Sequence, residues 1–124
     1  MGNVKFGFED LEVWQKSVDF TTKIVHLIEK VDTGRNHYRL IEQLEACSTS
    51  IALNIAEGKG RYSKKEFVQF LYIARGSLYE TITLLIIFSK NKWINNDELE
   101  EMKKLGDEIG KMLSSLINSI KKSI

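Results

Sequence analysis

Residues 63–90 read SKKEFVQFLYIARGSLYETITLLIIFSK, and this stretch decides the fold class. Ser63 and Glu66 stand at the S-x-x-E spacing of a capping box, directly before an apolar run. Phe67, Leu71, Ala74, Leu78, Ile82, Leu85 and Phe88 then recur at helical intervals. From Ile82 to Phe88 the pattern is apolar almost all round, so this half is expected to be covered on every side. Gly76 interrupts the run at a cost of up to ~1 kcal/mol against alanine. Its expected use is to let another helix approach closely. The longest uncharged run, residues 81–89, is far short of the ~20 residues that span a bilayer, and reads as the buried middle of a helix.

The flanking sequence carries the same period. A first helix is predicted over about 10–32, with one stripe of Leu11, Trp14, Val18, Val25 and Ile28. A second stripe of Val13, Phe20, Ile24, Leu27 and Val31 lies beside it. Together they cover about 160° of the helix, more than one neighbour needs. Gly34 is the expected left-handed cap in the Thr33-Gly34-Arg35-Asn36 turn. A second helix is predicted over 37–57, with Tyr38, Ile41, Leu44, Ser48, Ile51 and Ile55 inward, small residues at 46–50 and 52, and Gly58 as the stop. The third spans 64–90. The fourth spans 96–122, capped by Asn95 or Asp97, with Leu99, Met102, Leu105, Ile109, Met112, Leu116 and Ile120 as its stripe. The chain has 124 residues and no proline, so one domain with long uninterrupted helices is expected. Short turns make neighbours antiparallel, which predicts an all-α, up-down-up-down four-helix bundle.

Composition narrows the chemistry. Eighteen basic residues oppose 17 acidic ones, a net charge of +1, which excludes a strongly basic protein but not a local patch. A single cysteine, Cys47, excludes an intrachain disulfide and fits a reducing cytoplasm. Residues 1–10, MGNVKFGFED, lack the basic start and apolar stretch of a signal peptide. The cytoplasm is therefore the expected compartment. A di-iron bundle needs two Glu-x-x-His pairs; Lys23 and Gly34 stand three residues before His26 and His37. Ser48 and Ser50 lack an obvious base, and Glu100 and Glu101 read as solvated. No metal or cofactor is expected, and the chain reads as a non-enzyme.

One loop stands apart. Lys59, Arg61, Lys64 and Lys65 place four positive charges in seven residues at a helix start, where free amides also favour anions. Residues 35–91 carry 8 basic and 5 acidic groups, whereas residues 1–34 carry 4 and 6. Lys59, Arg61, Lys64 and Lys65 are the candidate nucleic-acid contacts. Tyr62 among them either stacks on a base or packs as a staple before Ser63. The alternatives are a solvated turn and a protein that binds only proteins.

Three stretches together carry a resemblance: Phe8 to Lys16, FEDLEVWQK; Tyr38 to Gly58, YRLIEQLEACSTSIALNIAEG; and Phe70 to Glu80, FLYIARGSLYE. They resemble the small bacterial four-helix bundle proteins encoded in intervening sequences of 23S ribosomal RNA genes. Relatives of that family include the accessory variability protein of diversity-generating retroelements. The resemblance implies a left-handed bundle that assembles into a ring-like homopentamer. For the retroelement relative it implies binding to a reverse transcriptase and to RNA or DNA through a basic surface. The motif positions here are Trp14, Asn54, Glu57, Gly58, Gly76, Ser77 and Glu80. Arg75 and Glu80 are expected either to meet a neighbouring subunit or to be solvated, and Ser50, Gly76 and Ser77 to lie in a close helix contact. Glu45 and Ala46 depart from the basic residues usual after Q-L, which weakens nucleic-acid binding through that face.

Overall fold

The computed structural model describes residues 2–34 and 37–124. Arg35 and Asn36, predicted to belong to the first turn, lie outside the described residues. Four helices carry the fold: α1 Glu12–Glu29, α2 Tyr38–Lys59, α3 Lys64–Lys90 and α4 Asn96–Lys122. A short 3-10 turn, Gly7–Asp10, precedes α1. No strand occurs among the described residues, so the chain is all-α.

Each helix touches two others: α1 meets α2 and α4, and α3 meets α2 and α4. Cross-helix pairs run in opposite senses. Lys16 pairs with Glu108 at 2.7 Å and Lys23 with Glu101 at 3.3 Å. The Glu108 hydrogen bond pushes the Lys16 pKa up. Between α2 and α3, Ser50 Oγ lies 2.9 Å from Ser77 Oγ, and Cys47 Sγ lies 3.3 Å from Thr81 Oγ1. Between α3 and α4, Lys64 reaches Ser123 at 3.2 Å and Arg75 reaches Ser114 at 3.2 Å.

The core runs through the middle of all four helices. Phe20, Ile24, Leu44, Ile51, Ile55, Leu71, Leu85, Phe88, Ile109, Leu113 and Ile117 are essentially fully buried. Burying one such side chain is worth about 1.5–3 kcal/mol. In α1 the second predicted stripe supplies the core, while Trp14 and Val18 of the first are half-buried. Tyr38, expected inward, is exposed at the first residue of α2. Leu113 and Ile117 were absent from the predicted α4 stripe yet lie deepest in its second half. The inward face drifts along this 27-residue helix, from Met102 through Gly106 and Ile109 to Leu113 and Ile117. In α3, Thr83 and Ile87 are exposed and Ile86 half-buried. The chain therefore does not cover residues 82–88 on every side, because α2 and α4 flank only the inner half of that helix. By length and composition α3 would suffice to cross a membrane, but its Leu71, Ala74, Leu78, Leu85 and Phe88 line this core.

Ends differ from expectation in two places. α1 stops at Glu29 rather than near 32, because Lys30 and Val31 donate to Leu27 and Ile28, three residues back. Gly34 is left-handed at φ 67°, but in the following turn, donating its N–H to Asp32 Oδ1 at 2.9 Å. α2 runs through Gly58 to Lys59, with Gly60 at its C-cap. Gly58 is thus a buried helical residue rather than the stop.

Candidate functional site

The end of the bundle that joins α2 to α3 gathers the positive charge. Lys59 closes α2; Gly60, Arg61, Tyr62 and Ser63 form the turn; Lys64 and Lys65 open α3. Ser63 fixes the turn by accepting the Glu66 N–H at 3.3 Å, so Lys64 and Lys65 stand on the first turn of a rigid helix. The Lys64 ammonium donates to Ser123 Oγ at 3.2 Å. That contact brings the last turn of α4, with Lys121 and Lys122, beside the loop. Neither lysine was among the sequence candidates, since 56 or more residues separate them from Lys65. A signal existed: no acidic residue follows Glu108.

The four predicted cations are not equivalent. Arg61 is engaged: its guanidinium pairs with Glu57 at 3.1 Å and Glu66 at 4.0 Å, and lies 4.8 Å from the centre of the Phe70 ring. Two carboxylates beside one guanidinium remove its net attraction for a phosphate. Lys59, Lys64 and Lys65 are exposed. Tyr62 is fully exposed, at 104% of its reference area, so it does not pack as a staple.

Most of the remaining motif residues have structural partners. Asn54 donates to Ser50 O and Oγ, both at 2.8 Å, and Glu57 holds Arg61. Ser77 meets Ser50 across α2 and α3. Trp14 packs against Phe8, ring centres 5.1 Å apart. Arg75 lies 5.0 Å from the centre of the Tyr72 ring and donates to Ser114. Glu80 is exposed. Gly76 corrects an expectation: a Cβ there would meet nothing within 4 Å, so it makes no close helix contact in this chain. The tight contacts belong to Gly58, whose Cβ would stand 2.6 Å from Phe70 Cβ, and to Gly106, 2.8 Å from Ile82 Cδ1. The signal for Gly106 was its spacing of four from Gly110 on α4.

Among the described residues no three His, Cys, Asp or Glu side chains gather as metal ligands. His26 is exposed on α1, and the His37 ring rests 4.7 Å from Trp93. Cys47 is buried, and desolvation pushes its thiol pKa up, which keeps it protonated and unreactive.

The model of the 23S rRNA-intervening sequence protein family matches residues 9–115. The chain belongs to that family. Among solved structures, this 23S rRNA-intervening sequence protein is similar to a protein of unknown function from the S23 ribosomal protein family of Bacteroides thetaiotaomicron VPI-5482. The two share 29% identity and a TM-score of 0.74, over 85% of this chain and 97% of that one. No curated protein matches the chain.

Proposed function

We propose that this protein is a non-enzymatic, self-associating adaptor of the cytoplasm that binds nucleic acid weakly through its basic end, without reading sequence. The carrying observation is a fully exposed Tyr62 set among Lys59, Lys64 and Lys65, with Lys121 and Lys122 beside them. An aromatic ring left in water amid cations suits a phosphate-and-base ligand better than a solvated turn. A few lysines bind weakly alone, so repetition around a ring, the homopentamer implied by the family resemblance, would supply avidity. A reverse transcriptase is a further partner on that resemblance alone. The second reading, a purely protein-binding oligomer, is favoured by the apolar groove where Phe8, Trp14 and Val18 face Leu53.

Fluorescence anisotropy at low and physiological salt tests the first reading. Affinity should fall with salt at a slope of about −0.7 to −0.9 per neutralised phosphate. Replacing Lys59, Lys64 and Lys65 together by Gln should weaken binding strongly while helicity and assembly mass persist. Absence of binding at low salt would leave the protein-only reading.

A further inference from the structure

The antiparallel pairing of α3 and α4 lays two acid-free stretches side by side: residues 67–79 and 109–124 contain no Asp or Glu. The surface they form begins beside the loop that holds Tyr62 and carries a second aromatic ring, ten residues further on. Tyr72 is 40% exposed. The Arg75 guanidinium lies 5.0 Å from its ring centre, the Lys121 ammonium 5.8 Å, and Lys121 also donates to its hydroxyl at 3.3 Å. Lys64 and Lys65 stand between the two tyrosines in sequence. From Lys64 to Tyr72 the rise along α3 is about 12 Å. The nearest acid in sequence, Glu66, is turned toward Arg61.

We infer that this strip is a track for single-stranded nucleic acid, with the open Tyr62 ring as its main stacking platform, the cation-flanked Tyr72 ring further along it, and Lys64, Lys65, Lys121 and Lys122 along the phosphates. The inference rests on the nucleic-acid reading above and names the strand state that it prefers. Bases in a duplex are stacked on one another and offer no face to a protruding tyrosine, whereas unpaired bases do. Ring stacking and ammonium–phosphate attraction do not distinguish one base from another. The strip is therefore indifferent to base sequence, and RNA and DNA single strands bind alike.

The test is an anisotropy titration of the full chain at low salt with oligouridine, oligothymidine and a blunt duplex of equal length. Both single strands should bind more tightly than the duplex. Tyr62→Ala should weaken single-strand binding by about tenfold and leave duplex binding unchanged, while Tyr62→Trp should retain it. Tyr72→Ala should act in the same direction. Lys121→Gln with Lys122→Gln should weaken all probes and lower the salt slope. If the duplex binds as tightly as the single strands, or Tyr62→Ala binds them as wild type does, the track is overturned while nucleic-acid binding stands. If no probe binds wild type even at low salt, both fall. Tyr62 contributes no buried area, so loss through unfolding is not expected, and an unchanged thermal melt of Tyr62→Ala checks this.

Discussion

Two glycines that both fall within helices have opposite roles in space. Gly58 admits no side chain because Phe70 Cβ, tied to its own backbone, stands 2.6 Å from where a Cβ would be. Gly58→Ala should therefore destabilise the chain by about 1–3 kcal/mol. Gly76 faces open space on α3, so Gly76→Ala should stabilise it by up to ~1 kcal/mol through helix propensity. Urea midpoints at constant slope would measure both. A lower midpoint for Gly76→Ala would mean that its face is occupied. At Gly106 the crowding atom is Ile82 Cδ1, the tip of a flexible side chain, so alanine there should cost less than at Gly58. Local sequence does not give the cost at any of the three. Each depends on which atom of a distant residue arrives opposite the glycine.

Helix starts obey local rules more closely than helix ends. The structure selects Asn95 rather than Asp97 as the cap of α4: Asn95 Oδ1 accepts the Glu98 N–H at 2.8 Å, and Glu98 Oε1 accepts the Asn95 N–H at 2.9 Å. Ser63 makes only the forward bond to Glu66, at 3.3 Å. The Glu66 carboxylate points toward Arg61 instead. Asn95→Ala should cost about 1 kcal/mol and Ser63→Ala less, read as the two shifts in thermal midpoint by circular dichroism. Equal shifts would mean that the reciprocal bond adds nothing. Helix ends were harder to place because backbone bonds decide them: Lys30 and Val31 donate three residues back at the end of α1, Asp32 accepts the Gly34 N–H beyond it, and the Gly60 N–H reaches Ala56 and Glu57 at the end of α2.

The distribution of surface across the molecule gives it two unlike sides. The α1–α2 side carries a groove of Phe8, Trp14, Val18, Ala52 and Leu53, with Leu53 63% exposed. The α3–α4 side carries the acid-free strip. If self-association uses the groove, light scattering at micromolar concentration should give a mass several times 14.3 kDa, most nearly fivefold. Leu53→Glu should reduce it to the monomer without lowering helicity. A monomeric wild type would overturn self-association. The seven described ion pairs all join partly exposed side chains. At about 0–1 kcal/mol each, they add little to the stability of the fold; the two that join α1 to α4, Lys16–Glu108 and Lys23–Glu101, bear on the register of those helices.

The all-α class, the number of helices and most inward faces were legible in the sequence, because apolar period and capping residues act within a turn or two of chain. The basic loop was legible for the same reason, being four charges in seven consecutive residues. What the sequence could not supply was which charges remain available. Arg61 is held by Glu57 and Glu66, and Lys121 and Lys122 join the loop only because α4 returns antiparallel to α3 and sets Ser123 against Lys64. Tyr62 could have been staple or platform from its position alone; its complete exposure decides against the staple. The half-covered state of residues 82–88 was also beyond local pattern, since a helix in a ring of four has only two flanking neighbours. Periodicity records how much apolar surface a helix offers, whereas tertiary packing decides how much of it the same chain can cover.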